Sequence, residues 1–465
     1  MVNPKIALID PLGNGRSLFG HKHFIRDWTG ATFPGGLPFP PLDLMYAAAY
    51  VKERGFHARI IESNINHWTH QRTIKEIKLD PPQFVLIPST YFTLEDDKYL
   101  SRLIREAFPG TRIIFSGPLL TQDPSLVLKE KCADFVVLGE LEDPILNILN
   151  GEYTANIAYK NANNIIIGKR SLLDLNNLPI PARDLIQNNA YKYFVFNRGN
   201  PITAMTLSRG CPHSKCKFCH TNLYTLGRHR FRPVGSIIKE IHEVKFKYGI
   251  EEIFFRDQVF TANKSIVHEV CDYMISEKIN LYWRAQTRVD YADSDTFKLM
   301  RKAGCYQLSF GLESSSQDTL DSVDKGITLA QAKEAIKYAK EAGIEVLGLF
   351  ILGIPGDQEE SIRKTIDFAI KSGIEFANFN KLLFLPGTEI ADNYARDRKQ
   401  LINHRLLKKY TIHAYLKFYL RSAYLRKNMF RLRSFKSIGF VIIAGLREIL
   451  SHLGGKWLQP FSYEK

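Results

Sequence analysis

The sequence predicts an α/β protein in which an N-terminal doubly wound domain precedes a partial (β/α)6 barrel and a basic helical C-terminal region. Short apolar runs alternate with amphipathic stretches over most of the 465 residues, which is the rhythm of βαβ units in a parallel sheet. A polar, proline-bearing stretch at 174–181 interrupts this rhythm and suits an extended linker. The predicted boundaries are 1–150 for the first domain, 151–200 for the linker, 201–390 for the barrel and 391–465 for the tail.

The first domain is predicted to be Rossmann-like, with a ligand site at one edge of its sheet. Its predicted strands are 5–9, 58–61, 84–88, 112–115 and 135–138, with helices at 42–54 and 98–108. Ligands of such sheets bind beyond the carboxyl ends of the strands, where small residues let them approach the backbone. The residues at those ends are Ser89, Thr90, Ser116, Gly117, Gly139 and Glu140. Ordinary strand-to-helix turns explain the same residues equally well.

A second βα series predicts the barrel. Its predicted strands are 203–207, 252–255, 281–285, 307–310, 345–352 and 377–384, with helices at 236–248, 266–277 and 329–342. Six units fit an open, partial barrel better than the eight units of a closed one.

Three cysteines, Cys211, Cys216 and Cys219, lie within nine residues directly after the first barrel strand. Thiolates are the soft ligands that iron–sulfur clusters require, and three of them on a cubane leave one iron open to a small molecule. A structural zinc site with His213 or His220 as fourth ligand remains an alternative at this point, as does a reactive thiol loop.

The cysteine loop and the segments after it resemble the radical S-adenosylmethionine (SAM) superfamily. The loop follows a first barrel strand and carries an aromatic residue, Phe218, between its last two cysteines. Its gaps of four and then two residues depart from the superfamily's commonest spacing of three and then two. The segments that match later strand ends are 253–261, 311–314, 353–357 and 385–389, so the resemblance covers about residues 203–389.

This resemblance implies a cofactor site. Cys211, Cys216 and Cys219 would ligate a [4Fe-4S] cluster whose open iron chelates the amino and carboxylate groups of SAM. The implied SAM contacts are Phe218 on the adenine side, Glu313 and Ser314 after the fourth strand, Gly353 and Pro355 after the fifth, and Arg288 at the SAM carboxylate. A solvated or core-pairing arginine is the alternative for Arg288, and a helix cap is the alternative for Asp257.

The first domain resembles the cobalamin-binding domains that precede radical SAM barrels in one large subgroup. The matching segments are 38–47, 89–90, 115–118 and 136–142. The resemblance implies cobalamin contacts at Ser89, Thr90, Gly117, Gly139 and Glu140. The loop at 10–15 lacks the Asp-x-His-x-x-Gly motif, so we expect no protein histidine on cobalt there, although His21 and His23 are near in sequence.

The function that the resemblance implies is modification of an unactivated carbon by a 5′-deoxyadenosyl radical, with C-methyl transfer from cobalamin as the leading expectation. Ring closure, rearrangement or oxidation without methyl transfer is the close alternative. An RNA-modifying methylthiotransferase is less expected, because that family has a further cysteine triplet where this chain has Cys132 alone. An iron–sulfur electron carrier or a zinc-bearing binding module represents a different class. The expected electron donor is a reductase with ferredoxin or flavodoxin.

The tail carries almost all of the net charge of +15, since residues 398–465 hold 15 Lys/Arg and two Asp/Glu. Its aromatic residues interleave with the basic ones: Tyr410, Tyr415, Phe418, Tyr419, Tyr424, Phe430 and Phe435. Such a segment suits an anionic membrane surface, RNA phosphates or a cover over the barrel. The stretch 414–421 also resembles tails of subgroup members that act on porphyrins, hopanoids and other hydrophobic molecules. We therefore expect a hydrophobic small-molecule substrate, a possible peripheral membrane contact and no nucleic acid.

The composition points to the cytoplasm. Six cysteines are too few for a disulfide scaffold and suit a reducing compartment. The first ten residues resemble a short strand rather than an export signal, and no window reaches the roughly 18–20 apolar residues of a spanning helix. A location at the inner face of the cell membrane is compatible with these features.

Overall fold

The computed structural model describes residues 3–12, 39–192, 197–394 and 402–429. It divides into two compact units. The first comprises 1–192, 201–204 and 221–249, and the second comprises 193–200, 205–220 and 250–465, within the described ranges.

The first unit contains a seven-stranded sheet in the order β2-β1-β3-β4-β5-β6-β7. Its strands are β1 (Lys5–Asp10), β2 (His57–Glu62), β3 (Phe84–Pro88), β4 (Arg112–Ser116), β5 (Phe135–Val137), β6 (Ile157–Asn161) and β7 (Asn164–Ile167). The helices are α1 (Leu42–Lys52), α2 (His70–Leu79), α3 (Leu94–Ala107), α4 (Pro118–Gln122), α5 (Ser125–Leu128) and α6 (Glu142–Asn150). β1 to β5 pair in parallel, and their apolar runs are buried on both faces, as expected of a sheet covered by helices.

A hairpin lies in the region predicted to be a linker. β6 pairs antiparallel with β5, and β7 pairs with β6 through a two-residue turn at Ala162 and Asn163. Ala162 adopts a φ of 50°, a conformation in which glycine or asparagine is more usual, so the turn carries no glycine signal. The ring of Phe135 in β5 packs against Tyr153 and Tyr159 at centroid distances of 4.7 and 6.4 Å. The first sheet therefore extends beyond residue 150, into the predicted linker.

The elements after the hairpin begin with the first strand of the barrel. They are β8 (Ile202–Met205), β9 (Ser208–Arg209), α7 (Thr221–Thr225), β10 (Arg230–Phe231) and α8 (Val234–His242), which continues as a π-helical turn over Glu243–Lys247.

The second parallel sheet has six strands in the sequential order β15-β14-β13-β12-β11-β8, so it is open between its first and last strands. The remaining strands are β11 (Glu252–Phe255), β12 (Tyr282–Thr287), β13 (Cys305–Glu313), β14 (Glu345–Leu352) and β15 (Phe376–Lys381). The helices are α9 (Lys264–Ser276), α10 (Ser294–Lys302), α11 (Gln317–Ser322), α12 (Leu329–Glu341), α13 (Glu359–Lys371), α14 (Glu389–Tyr394), α15 (His404–Tyr419) and α16 (Ser422–Met429). The predicted six-stranded partial barrel is confirmed.

The described part of the tail covers the edge strand β15. The Tyr419 hydroxyl accepts the Ala377 N–H at 3.1 Å and donates to the Ala377 carbonyl at 2.7 Å. The Tyr415 hydroxyl accepts the Phe379 N–H at 3.2 Å, and Phe418 is fully buried. These tyrosines satisfy backbone groups that an edge strand otherwise leaves unpaired. Phe430 and Phe435 lie outside the described residues.

Among the helices that the structure describes, none is both long enough and apolar enough to cross a bilayer.

Candidate functional site

The cysteine loop, residues 208–220, leaves the carboxyl end of β8 and is fixed there by one buried carboxylate. Asp257, after β11, accepts the N–H groups of Leu207 at 3.0 Å and Ser208 at 2.6 Å, and also the Ser208 hydroxyl at 2.6 Å. Burial raises the pKa of Asp257 to about 6, while the hydrogen bonds from Ser208 and Leu207 act in the opposite direction. Asp257 does not cap α9, whose N-cap is Asn263. It therefore anchors the start of the loop.

A second segment, residues 322–326, lies along the cysteine loop. The Lys217 N–H donates to the Val323 carbonyl at 3.1 Å, and the Lys217 ammonium lies 3.2 Å from a carboxylate oxygen of Asp324. Gly326 has a φ of 65°, and a Cβ atom there would lie 2.5 Å from Cε1 of His213. Only glycine fits this close approach, so the two segments form one packed structure.

The two histidines of the loop contact backbone carbonyls. His213 Nε2 lies 2.6 Å from the Asp324 carbonyl oxygen, and His220 Nε2 lies 3.2 Å from that of Pro386. Burial lowers the pKa of His220 to about 4. Among the described residues, no three His, Cys, Asp or Glu side chains converge as they would on a single metal ion. The three thiolates of a cubane each bind a different iron, so a cluster does not require such convergence.

Two buried cations surround Cys216. Arg288 Nη1 lies 3.9 Å from Cys216 Sγ, and the same guanidinium pairs with Asp290 at 2.9 and 3.0 Å. The Lys325 ammonium donates to Glu313 Oε1 at 2.7 Å and lies 6.0 Å from the centre of the Phe218 ring. Burial raises the pKa of the Cys216 thiol to about 11, although Lys325 and Arg288 oppose the rise. Because thiolates on iron are anionic, these cations fit a cluster at this loop.

Gly311 makes room for the buried ion pair. A Cβ atom at Gly311 would lie 2.7 Å from Glu313 Oε1 and 2.8 Å from Lys325 Nζ. Glu313 itself has a φ of 56°, next to a register shift between β13 and β14. The fourth-strand segment is therefore shaped around the Lys325 ammonium, a residue that the sequence analysis did not single out. Lys325 is far from the cysteines in sequence, and a lone lysine carries no motif.

The fifth-strand segment forms an apolar wall beside the loop. Asp357 accepts the N–H groups of Gly353 at 3.0 Å and Ile354 at 3.2 Å, which fixes a turn in which Gly353 has a φ of 85°. Phe218 packs against a buried cluster that contains Ile354 and Val323. Pro355 and Val323 line a cavity of about 130 Å³ together with Lys217, Ser322, Ile390 and Asn393.

The structure thus brings most of the predicted SAM contacts together near the cysteine loop. Two of them, Ser314 and Arg288, already have hydrogen-bond partners within the protein. Ser314 is buried, and its hydroxyl accepts the Ser316 N–H at 3.2 Å and lies 3.4 Å from the Thr365 hydroxyl. Arg288 is held by Asp290 and by the Lys325 carbonyl at 2.9 Å beside the cysteines, and its contact with the SAM carboxylate stays a prediction.

The first unit has a cradle of small residues at the carboxyl ends of β3, β4 and β5. The Ser89 hydroxyl is buried, and it has no hydrogen-bond partner among the described residues. Gly117 has a φ of 144°, and a Cβ atom there would lie 2.1 Å from the Ser89 carbonyl oxygen. Gly139, with a φ of 99°, donates its N–H to Thr121 Oγ1 at 3.2 Å. A buried hydroxyl beside backbone that only glycine can form fits a ligand in close contact with the chain.

The other two predicted cobalamin contacts have partners within the unit. Both the N–H and the hydroxyl of Thr90 lie 3.1 Å from the Thr93 hydroxyl. Glu140 accepts hydrogen bonds from the Leu173 N–H at 3.0 Å and from Arg230 Nη1 at 3.2 Å. Glu140 therefore holds the chain around residue 173, and its contact with cobalamin stays a prediction. His21, His23 and residues 13–15 of the first loop lie outside the described residues.

Comparison with known proteins agrees with this geometry. The family model described as "Radical SAM superfamily" matches residues 205–369, and the model described as "B12 binding domain" matches residues 32–149. The chain is 30% identical over 449 residues to the uncharacterized methyltransferase PH0819 of Pyrococcus horikoshii, covering 89% of this chain and 94% of the relative. It is 24% identical to the anaerobic magnesium-protoporphyrin IX monomethyl ester cyclase of Cereibacter sphaeroides, covering 84% of this chain and 65% of that one.

A solved structure extends the agreement to the fold. The cobalamin-dependent S-adenosylmethionine radical enzyme OxsB, with aqua-cobalamin and S-adenosylmethionine bound, superposes with a TM-score of 0.75 at 14% identity, over 97% of this chain and 72% of that one. Together with the two family models and the relative aligned over nearly its whole length, this shows that the chain belongs to the radical SAM enzymes that carry a B12-binding domain, with a [4Fe-4S] cluster, SAM and cobalamin as cofactors.

Proposed function

We propose that this enzyme transfers a methyl group to an unactivated carbon of a hydrophobic small molecule. The observation that carries the proposal is the buried group of Arg288, Lys325 and Glu313 beside Cys216, with the apolar wall of Phe218 and Ile354 next to it. This site can stabilise an anionic cluster while it keeps water from a radical. The similarity to PH0819, which is described as a methyltransferase, supports methyl transfer over other outcomes.

When bound, the reduced cluster and SAM would supply hydrogen-atom abstraction from the substrate, and cobalamin would supply the methyl group, with an external reductase as the source of electrons. The protein's part is to bind, orient and exclude water. Cys211, Cys216 and Cys219 would hold the cluster, and Asp257 fixes the backbone that precedes them. We assign Arg288 to the thiolate side of the cluster, since Asp290 and a backbone carbonyl already occupy its guanidinium.

We also propose that the cobalamin-binding domain includes the hairpin β6–β7, so that it ends later than residue 150. The hairpin continues the sheet that carries Ser89, Gly117 and Gly139. In this domain the Ser89 hydroxyl would donate to, or accept from, the bound cofactor, and the two glycines would let it approach the backbone.

A hydrophobic substrate is supported by two features. The wall formed by Phe218, Ile354 and Val323 is apolar, and the cyclase relative is named for a porphyrin substrate. The same relative supports the second candidate, a ring closure or oxidation of such a molecule without methyl transfer.

A labelled product distinguishes the two candidates. Anaerobically reconstituted, reduced protein is supplied with cobalamin, SAM that carries a trideuterated methyl group, and lipid or porphyrin extracts, and the products are analysed by mass spectrometry. Methyl transfer predicts 5′-deoxyadenosine together with a product that contains the label. Formation of 5′-deoxyadenosine with an unlabelled, hydrogen-depleted product would favour the cyclase. Absence of SAM cleavage would contradict both candidate functions and would favour an iron–sulfur electron carrier.

A further inference from the structure

Helix α15 is amphipathic in an unusual way, because the face that turns away from the barrel is cationic at one end and apolar at the other. Its inner face holds Leu407, Tyr410, Ala414 and Phe418, all buried. Its exposed residues recur at helical spacing and form the stripe Arg405, Lys409, His413, Leu416 and Leu420. The stripe spans about 22 Å along the helix axis at 1.5 Å per residue.

The apolar end of the stripe is a concentration of exposed leucines. Twelve large hydrophobic side chains are exposed among the described residues, and three of them, Leu416, Leu420 and Leu425, lie within ten positions of one another. Leu420 is 62% exposed and Leu425 is 51% exposed. Leu416 and Leu420 end the α15 stripe, and Leu425 follows in α16. Single exposed leucines need no explanation, whereas three that follow one another closely beside basic residues indicate an interaction surface.

The charged residues of α15 and α16 themselves are all basic. No Asp or Glu occurs between Arg398 and Lys436. Lys417 is paired with Asp367 of α13 at 2.6 Å, so it contributes little net charge, but Arg405 and Lys409 are exposed on the stripe and Arg426 follows in α16. The helix is also fixed in orientation, since Tyr415 and Tyr419 bind the backbone of β15.

We propose that this face, defined by Arg405, Lys409, Leu416, Leu420 and Leu425, docks the enzyme on a bilayer that contains anionic lipids. Basic residues would lie at the phosphate level and the leucines would enter the acyl boundary, which is the arrangement of an interfacial helix. None of these five residues is among the predicted contacts to the cluster, SAM or cobalamin, so membrane docking can be tested independently of methyl transfer.

Other occupants fit the face less well. Residues 430–465 carry six Lys/Arg and two Asp/Glu, so their net charge has the same sign as the face. A second copy of the chain would likewise bring one cationic stripe against another. RNA matches the charge of the face, but binding to phosphates would leave the three leucines in water. A bilayer with anionic lipids would cover both the basic residues and the leucines.

The test uses the full-length protein and flotation with vesicles of phosphatidylcholine, with and without phosphatidylglycerol. We expect partition onto the anionic vesicles that falls as salt is raised, and little binding to the neutral ones. Lys409→Glu should lower the partition coefficient by at least about fivefold, the factor that corresponds to one basic residue at such a surface. Leu420→Gln should also lower it several-fold by removing buried apolar area.

Matched controls keep the test specific. Lys337→Glu on α12 and Leu79→Gln at the end of α2 alter an exposed lysine and a leucine that is 75% exposed, and neither should change vesicle binding. Unchanged thermal melting of Lys409→Glu and Leu420→Gln would show that both variants fold. Equal binding to both kinds of vesicle, or wild-type binding by the two variants, would overturn the proposal. So would tight RNA binding that depends on Lys409 but not on Leu420.

Discussion

The ligand edges of the two parallel sheets are built in contrasting ways. In the first unit, the edge consists of Ser89, Gly117 and Gly139; both glycines have a positive φ, and the buried Ser89 hydroxyl has no hydrogen-bond partner in the part of the chain that the structure describes. In the second unit, carboxylates tie down the strand ends: Asp257 holds the start of the cysteine loop and Asp357 holds the turn after β14. At the first edge, a large ligand can approach the backbone closely. The second edge is held rigidly by hydrogen bonds and carries buried charge. The contrast suggests that shape governs binding at one edge and that electrostatics governs it at the other.

Lys325 provides the largest stability effect that this comparison predicts. Lys325→Met would leave Glu313 buried without its cation, so we expect a loss of about 3–5 kcal/mol in the free energy of unfolding. Urea denaturation measures this, with Lys337→Met on the exposed face of α12 as the control. Lys325→Met combined with Glu313→Gln should recover part of the loss. A Lys325→Met protein as stable as the control would contradict an electrostatic frame at this edge.

Gly117 tests the shape of the first edge. Alanine there would place Cβ 2.1 Å from the Ser89 carbonyl at a φ of 144°, so we expect a loss of roughly 2–4 kcal/mol and weaker cobalamin retention. Gly110→Ala is the matched control, because a Cβ atom at Gly110 meets nothing within 4 Å. Visible absorption of bound cobalamin after gel filtration, and urea denaturation, report the two effects. Normal cobalamin content in stable Gly117→Ala protein would show that the close approach is unnecessary.

The edge-strand cap predicts the smallest effect. Tyr419→Phe removes the hydroxyl that serves both the N–H and the carbonyl of Ala377, and we expect a loss of about 1 kcal/mol. Tyr338→Phe is the control, since that hydroxyl donates to an exposed glutamate, Glu334. Equal melting temperatures for the two variants would indicate that water replaces the tyrosine on β15 at no cost.

The sequence was sufficient for those features that depend on local pattern. Buried parallel strands such as Phe84–Pro88 and Glu345–Leu352 are short apolar runs, and the cysteine loop carries its own spacing. Features that depend on distant partners were not predictable. The role of Lys325 depends on its contacts with Glu313 and Cys216, which are distant from it in sequence or carry no shared motif. The hairpin at 157–167 turns at an alanine rather than a glycine, so its sequence gives no turn signal.

The contacts of the tail were likewise not predictable from local sequence pattern. Its aromatic residues were compatible with a membrane surface, with RNA or with a cover over the barrel. In the described part, Tyr415, Phe418 and Tyr419 pack on β15. The spacing of aromatic and basic residues alone could not predict which of these residues face the barrel. The direction in which each side chain of α15 points was needed to separate the buried face from the exposed stripe.

The most direct test of the central claim is the paramagnetic resonance spectrum of the reduced, anaerobically reconstituted protein, recorded with and without SAM. The account predicts close to four irons per chain, as in one [4Fe-4S] cluster, and a spectrum that SAM perturbs, because three cysteines leave one iron open. Cys216→Ala should abolish the perturbation, and Cys132→Ala, at a buried cysteine of the first unit, should retain it. Stoichiometric zinc without iron–sulfur absorption, or a cluster whose spectrum ignores SAM, would contradict the account.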